Sequence, residues 1–215
     1  MGRRSIPDDA LEREALAALP PGAVVCGVDE VGRGPWAGPL AAGAAALDLA
    51  AVPPGIYDSK RMSPRAREAA AAALREAAET AIGWASVAEI ERLGVTAAVA
   101  LAMGRAVAAL PRAPALALVD GPRAPALPCQ ARAVVRGDGR CLSIAAAAIV
   151  AKVARDRLMI ELAAECPGYG WARNMGYGTA EHAAALRRLG ATPHHRRRFR
   201  PIHNILCGRD LKEPL

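Results

Sequence analysis

Residues 24–47 read VVCGVDEVGRGPWAGPLAAGAAAL, and this stretch does most to set the expected fold of the 215-residue chain. An apolar run at 23–30 ends in Asp29 and Glu30, and a segment rich in glycine and proline follows directly. Because a glycine-rich turn between two short apolar runs is typical of a hairpin, we predict strands at 23–30 and 38–47. The two adjacent acids at the end of a buried strand then need an explanation of their own.

The remainder of the chain alternates predicted strands with predicted helices. Ser63 and Pro64 are favoured at an N-cap and at the first helical position, so we expect a helix to begin at residue 64. Further strands are predicted at 81–87, 114–120 and 131–138, and further helices at 96–110 and 143–165. Ser143 is the expected N-cap of the last helix. This order predicts an α/β layer fold, in which functional side chains gather where strands end.

Composition and charge narrow the class of protein. A chain of this length that is 53% hydrophobic can bury the core of one domain. The net charge of +7 suits a polyanionic partner such as nucleic acid, although a proteome rich in Ala and Arg gives the same value by drift. Five cysteines without a C-x-x-C pair favour a reducing compartment. Since no apolar run approaches the roughly 18–20 residues of a membrane span, we expect a cytoplasmic protein that does not enter a membrane.

Four acids, Asp29, Glu30, Asp120 and Asp138, lie where predicted apolar strands end. Carboxylates gathered at one edge of a sheet repel one another unless cations lie among them, so this pattern predicts a metal site. Ligands that are all oxygen, with no His or Cys at metal-binding spacing, favour Mg²⁺ or Mn²⁺ over zinc. Two such ions about 4 Å apart would activate a water and stabilise the leaving oxygen in phosphodiester hydrolysis.

Other interpretations of these acids stay open at this point. Neighbouring residues on a regular strand point to opposite faces, so Asp29 and Glu30 cannot both face one ion from ideal geometry. Glu30 could contribute its backbone carbonyl, or a side chain turned around the end of the strand. Each acid alone could also cap a helix or pair with an arginine. Asp138, in a Gly-Asp-Gly sequence, is in addition a standard turn residue.

Several short motifs, taken in order, resemble the ribonuclease HII family, the type 2 ribonucleases H. GVDEVGRGPWAGP at 27–39 is similar to the opening block of that family. The segments that follow in the family's order are YDSKRMSPRARE (57–68), LVDG (118–121), VVRGD (134–138), SIAAAAIVAKVARDRLM (143–159), GYGT (176–179) and PHHRRRF (193–199). Any one of them would be a weak signal, but the ordered set over about residues 23–202 is specific.

The resemblance implies a fold and a division of the chain. The expected fold is α/β, a ribonuclease H-like mixed five-stranded sheet flanked by helices, with a small helical C-terminal appendage. We expect an N-terminal extension at 1–20, the catalytic domain at 21–170, and the basic helical appendage at 171–215, packed on the same domain.

The resemblance also implies an activity. Enzymes of this family hydrolyse the RNA strand of RNA–DNA hybrids and nick duplex DNA on the 5′ side of an embedded ribonucleotide, leaving a 3′-hydroxyl and a 5′-phosphate. The catalytic and metal-binding residues would be Asp29, Glu30, Asp120 and Asp138, with Mg²⁺ or Mn²⁺ as cofactor, and we expect a monomer. Two rivals remain: a structure-selective DNA nuclease of the same fold group, and a non-catalytic nucleic-acid-binding protein.

Substrate-binding residues follow from the same resemblance. Gly32, Arg33 and Gly34 correspond to the segment implicated in recognition of the 2′-hydroxyl, and glycines allow backbone groups to approach a sugar closely. Tyr177 would stack on a nucleotide, and Lys60 would contact a phosphate.

Some charged residues have expected structural roles. Either a Lys152–Asp156 pair, at i, i+4 spacing, or a pair of Arg155 with one of the acids is expected to brace the long helix under the active site. The pair His195 and Arg196 is interpreted as structural or in contact with the backbone.

Overall fold

A five-stranded mixed sheet is the central feature of residues 6–208, which are the residues that this computed structural model describes. The predicted N-terminal extension and C-terminal appendage continue into residues 1–5 and 209–215, which lie outside the described residues. The strands are β1 (Val25–Val31), β2 (Leu40–Leu47), β3 (Ala78–Ala85), β4 (Leu116–Asp120) and β5 (Gln130–Val134). Their order across the sheet is β3-β2-β1-β4-β5.

Strand β1 lies at the centre and determines which side chains meet. It pairs antiparallel with β2, so the predicted hairpin is confirmed. It pairs parallel with β4, and β4 pairs parallel with β5. Three parallel strands therefore end at the same edge of the sheet, where an α/β fold places its functional groups.

Eight helices accompany the sheet within the described residues, so the predicted fold class is confirmed. They are α1 (Ala10–Ala17), α2 (Pro64–Ala77), α3 (Val87–Leu93), α4 (Val95–Ala108), α5 (Leu142–Glu165), α6 (Trp171–Asn174), α7 (Ala180–Leu189) and α8 (Arg200–Leu206). None of the helices in this part of the chain is both long and apolar enough to cross a membrane.

Local capping decides where two of these helices begin. The hydroxyl of Ser63 accepts a hydrogen bond from the N–H of Ala66 at 3.2 Å, as predicted for the start of α2. The strand predicted at 81–87 instead ends at Ala85, because Ser86 and Glu89 form a reciprocal capping box that starts α3.

The start of α5 corrects the sequence prediction. The helix begins at Leu142, so Ser143 already lies in its first turn and is not the N-cap. The side chain of Glu12, on α1, does the capping: its Oε1 accepts from the N–H of Ser143 at 2.7 Å and from Cys141 Sγ at 3.1 Å. Glu12 is only 2% exposed, so this is a buried cap between distant segments.

The described chain separates into two compact units. The first contains the described residues up to 31, with 41–84 and 99–154, and the second contains 32–40, 85–98 and the described residues from 155.

In the first unit, helix α5 lies unusually close to the sheet. A Cβ added to Gly27 on β1 would lie 2.1 Å from the backbone of Ser143, and one on Gly43 of β2 would lie 2.2 Å from the carbonyl oxygen of Ala147. Only glycine allows this approach, which places the N-terminal part of α5 directly beneath β1.

The second unit has its own core around α6, α7 and α8. Trp171 is fully buried there, together with Met159, Leu186 and Ile202. The indole N–H of Trp171 donates to Nε2 of His182 at 3.1 Å, which satisfies a polar atom that burial would otherwise leave without a partner.

Candidate functional site

Two predicted ligands occupy equivalent positions on neighbouring strands of the first unit. Val28 of β1 is paired in register with Val119 of β4, so Asp29 and Asp120 are the next residues along two parallel strands. Strands in a sheet lie about 4.8 Å apart, and residues at equivalent positions point to the same face. Sheet register therefore brings these two carboxylates together, as the sequence predicted.

The environment of Asp29 favours a cation. Its side chain is buried, with 6% of the residue exposed, and its Oδ1 accepts from the N–H of Glu30 at 2.7 Å. Burial raises the pKa of Asp29 well above its usual value, and the charges of Glu30 and Asp120 raise it further. A positive ion beside this carboxylate would reverse both effects.

Asp138 reaches the site by a turn and does not lie at a strand end. Strand β5 stops at Val134, short of the predicted 131–138, because Arg136 takes a left-handed conformation (φ 56°) and starts a single 3-10 turn at 137–139. The N–H of Gly137 donates to Oδ1 of Asp120 at 2.6 Å. This bond holds the turn against the end of β4. Burial is the main cause of the raised pKa of Asp120, and the nearby charge of Asp138 raises it further.

Lys60 supplies the positive charge in this group. It lies in a 3-10 turn at Ser59–Arg61, where its N–H donates to Oδ1 of Asp58 at 2.9 Å. Its Nζ lies 2.9 Å from Oδ2 of Asp138, and this bond is the main cause of the raised pKa of Lys60. Its charge also lowers the pKa of Asp29 and of Asp120, so the lysine lies near the whole group.

Glu30 is placed differently from the other three acids. Strand β1 stays regular as far as Val31, with Glu30 paired opposite Ala42, so its side chain leaves the strand on the face opposite to Asp29. The bend comes later, at Gly32, where φ is 96°. The charge of Glu30 nevertheless raises the pKa of Asp29, so the Glu30 carboxylate lies near the group.

The group fits a divalent cation by its chemistry, although it is not a preformed cage. Within residues 6–208, no three or more His, Cys, Asp or Glu side chains have the spacing of a ready metal site. One buried and several half-buried carboxylates, with raised pKa values at Asp29 and Asp120 and one lysine as counter-charge, are the oxygen-donor set that Mg²⁺ and Mn²⁺ prefer. The bond from Lys60 occupies Oδ2 of Asp138 in this group.

The predicted sugar-recognition segment lies in the second unit. Arg33 and Gly34 are exposed, whereas Gly32 is buried. The carbonyl oxygens of Gly32 and Arg33 accept from the guanidinium of Arg196 at 2.7 and 3.0 Å. The prediction that Arg196 contacts the backbone is therefore confirmed.

Tyr177 lies beside the same segment. It is 45% exposed, and a Cβ on Gly34 would lie 3.7 Å from its Cε1. The N–H groups of Trp36 and Ala37 both donate to the carbonyl of Gly176, at 2.8 and 3.2 Å. The 176–178 strip and the 32–39 segment are thus joined by backbone hydrogen bonds.

The alternative in which Arg155 pairs with an acid is wrong. Arg155 forms no ion pair with an acid in the described residues, and its guanidinium donates to the carbonyls of Pro39, Ala37 and Met175 at 2.9, 3.2 and 3.0 Å. The signal for this role was present in the sequence. Arg155, Met159 and Leu162 recur at helical spacing, so an arginine on this apolar face is buried and needs acceptors nearby.

Comparisons with known proteins show the family to which the chain is similar. The family model for ribonuclease HII matches residues 26–202. Ribonuclease HII from Jannaschia sp. (strain CCS1) is 55% identical over 203 residues, which cover 94% of this chain and 99% of that protein.

Solved structures show the same fold. The crystal structure of ribonuclease H2 from Pyrococcus horikoshii OT3 has a TM-score of 0.73 at 23% identity, covering 89% of this chain and 100% of that one. Bst-RNase HIII in complex with Mn²⁺ has a TM-score of 0.67 at 19% identity, covering 93% and 81% of the two chains. With a family model that spans most of its length and a curated relative more than half identical, the chain belongs to the ribonuclease HII family.

Proposed function

We propose that this ribonuclease hydrolyses the RNA strand of RNA–DNA hybrids and nicks duplex DNA on the 5′ side of an embedded ribonucleotide, leaving a 3′-hydroxyl and a 5′-phosphate. The observation that carries the proposal is the register of β1 and β4, which sets Asp29 beside Asp120 at the end of parallel strands. Family membership supplies the substrate class, and the basic net charge of +7 suits a nucleic acid.

Divalent cations are part of the proposal. Asp29, Glu30, Asp120 and Asp138 would hold two ions, Mg²⁺ or Mn²⁺, and the Mn²⁺ complex of Bst-RNase HIII supports this choice. When bound, such ions activate a water for in-line attack and stabilise the departing 3′-oxygen. The raised pKa of Asp29, caused by burial and by neighbouring acids, supports its role as an ion-binding carboxylate.

Other residues would bind and orient the nucleic acid. Gly32, Arg33 and Gly34 would contact the ribose, whose 2′-hydroxyl can both donate and accept a hydrogen bond. The half-exposed ring of Tyr177 would stack on a nucleotide, and Lys60, released from Asp138, would hold a phosphate.

The test is strand cleavage of a duplex that carries one ribonucleotide. The protein should nick it in Mg²⁺ and stop in EDTA, and Asp29→Asn or Asp120→Asn should lower the rate by at least about a thousandfold. Asp48→Asn is the matched control, because Asp48 follows β2 at the opposite end of the sheet and its carboxylate only accepts from the N–H of Ala50. Equal activity of Asp29→Asn and the control would refute the proposal.

Two further substrates separate the rivals. Cleavage of a branched all-DNA duplex at the same rate would identify a structure-selective DNA nuclease. Binding without turnover, unaffected by EDTA and steeply dependent on salt, would identify a binding protein.

A monomeric state and a cytoplasmic location are also part of the proposal. All five cysteines lie within the described residues and are unpaired, as a reducing compartment would leave them. Light scattering at several concentrations and cell fractionation are the corresponding measurements.

A further inference from the structure

Two arginines of the second unit are fully buried, a rare situation for this residue type. Arg155 and Arg196 are each 0% exposed, and neither forms an ion pair with a carboxylate in the part of the chain that the structure describes. Their hydrogen bonds go to backbone carbonyls. Burying a guanidinium costs free energy, which hydrogen bonds to these carbonyls offset. A smaller apolar residue could not form these bonds.

Arg196 donates hydrogen bonds to carbonyls near both ends of the 32–39 segment. Its Nη2 donates to Gly32 at 2.7 Å and to Gly38 at 2.8 Å, its Nη1 donates to Arg33 at 3.0 Å, and its Nε donates to Gly38 at 3.0 Å. The planar fork of the guanidinium suits such a set of acceptors, which a lysine ammonium cannot reproduce.

This arrangement determines which backbone groups the segment presents. The peptide bonds are trans, so each N–H points opposite to the carbonyl of the preceding residue. With the carbonyls of Gly32 and Arg33 directed at the buried guanidinium, the N–H groups of Arg33 and Gly34 point away from it, on two exposed residues. The segment therefore presents these two N–H groups as hydrogen-bond donors on its exposed side, which we call the donor surface.

Arg155 adds a connection to the tyrosine strip. It donates to Ala37 and Pro39 of the 32–39 segment and to Met175, two residues before Tyr177. Glycines make the fit tight: a Cβ on Gly32 would lie 2.4 Å from Nε of Arg155. One guanidinium therefore fixes both segments relative to each other.

The two buried charges also act on each other. Burial lowers the pKa of Arg196 to about 9, and the neighbouring charge of Arg155 contributes to this. Burial likewise lowers the pKa of Arg155. Two positive charges under a donor surface favour oxygen atoms that carry negative charge or a lone pair.

We propose that Arg196 and Arg155 are positioning residues that determine specificity, because they hold the 32–39 segment with the N–H groups of Arg33 and Gly34 outward, facing the ribose 2′-oxygen and the adjoining phosphate. The inference rests on the proposed function. It adds two residues that act on the substrate only through the backbone that they hold.

The experiment compares Arg196→Lys with Arg197→Lys. Both substitutions keep the charge, and Arg197 is exposed with one weak bond, from its Nη2 to the carbonyl of Ala191 at 3.4 Å. Binding is measured in EDTA for two duplexes of the same sequence, one with a single ribonucleotide and one all DNA. The readout is the dissociation constant for the all-DNA duplex divided by the dissociation constant for the ribonucleotide duplex. Thermal unfolding is the check on folding.

Arg196→Lys should lower this ratio by about tenfold, the worth of one hydrogen bond, and should leave the affinity for all-DNA duplex within about twofold. Arg197→Lys should keep the wild-type ratio. A folded Arg196→Lys protein with the wild-type ratio overturns the inference, and so does a loss of affinity that is equal for both duplexes. A wild-type protein that neither nicks nor prefers the ribonucleotide duplex overturns the proposed function itself.

A measurement on the wild-type protein decides the matter if the variant does not fold. The Nε–H signals of Arg155 and Arg196, assigned by NMR on the intact protein, should move when the ribonucleotide duplex binds and stay in place with all-DNA duplex. Signals that respond equally to both duplexes, or to neither, contradict the inference.

Discussion

Lys60 is the positively charged residue beside the carboxylates of the candidate site. Its bond to Asp138 and its influence on Asp29 and Asp120 show how a single ammonium partly offsets the charges of one buried and two half-buried carboxylates. The same side chain is expected to contact a phosphate when substrate binds. We therefore propose that Lys60 competes with metal ions in the free protein and assists catalysis in the complex.

Lys60→Gln separates these two roles. Without the ammonium, Mg²⁺ should bind more tightly, because Asp138 no longer has to leave a partner, and the half-saturating Mg²⁺ concentration should fall several-fold. The value of kcat/KM for the ribonucleotide duplex should fall by about tenfold as a phosphate contact is lost. Magnesium titrations of the nicking rate measure both quantities. Arg61→Gln, at the exposed neighbouring position, is the control, and parallel changes in the two variants would contradict the assignment.

Sequence reasoning was sufficient for some residues and failed for others in this group. Asp29 and Asp120 could be placed because both end apolar runs that pair in parallel. The strand before Asp138 was predicted too long, although Gly-Asp-Gly left a turn open, since a left-handed Arg136 is not predictable from composition. An acidic partner for Arg155 was one of two alternatives and is wrong, because a one-dimensional pattern shows that a residue is buried but not which acceptors surround it.

Helix α5 illustrates the same limit for whole elements. Its length and apolar character were evident from the sequence, and the predicted start at residue 143 was one residue late. The true cap, Glu12, lies 131 residues away along the chain. No local motif can identify a cap supplied by a distant helix.

Removal of that cap should lower stability. Glu12→Ala leaves the buried N–H of Ser143 without an acceptor and should reduce the free energy of unfolding by about 1–3 kcal/mol. Glu14→Ala, which removes only an exposed ion pair with Arg132, should cost less than about 1 kcal/mol. Denaturant unfolding measures both values. Equal losses would show that the carboxylate of Glu12 does not cap α5.

The close contact between α5 and the sheet predicts that alanine in place of glycine lowers stability there, whereas the same change in open space raises it. Gly43→Ala would set a methyl group 2.2 Å from the carbonyl oxygen of Ala147 and should destabilise the protein by about 2–3 kcal/mol. Gly104→Ala, in the middle of α4 with open space around it, should stabilise the protein by up to about 1 kcal/mol. Thermal unfolding of the two variants decides. A neutral Gly43→Ala would mean that the helix can move away from the sheet.

At the scale of the whole molecule, buried histidines couple stability to pH. His182 and His195 are buried side by side, with their Nε2 atoms 3.1 Å apart. Burial first, and His182 second, lower the pKa of His195 from 6.5 to about 4. Because the unfolded chain takes up this proton at higher pH, the stabilisation is complete above pH 6.5 and is lost as pH falls towards 4.

His195→Gln isolates this contribution from the other titrating groups. The variant should be less stable than wild type near neutral pH, and the difference should shrink by about 1–2 kcal/mol when the pH is lowered from about 7.5 to about 5. Denaturant unfolding at the two pH values provides the measurement. His203→Gln, at an exposed position, should show no such change. A difference that does not depend on pH would mean that His195 titrates normally in the folded protein.

The claim that matters most for the whole molecule is that separate strands and turns bring oxygen ligands together for divalent cations. A calorimetric titration with Mn²⁺ tests this claim without relying on turnover. The protein is titrated in the presence of a ribonucleotide duplex that cannot be cleaved. The account predicts two ions for the wild-type protein and a loss of at least one in both Asp29→Asn and Asp120→Asn. Undiminished stoichiometry and affinity in these two variants would contradict it.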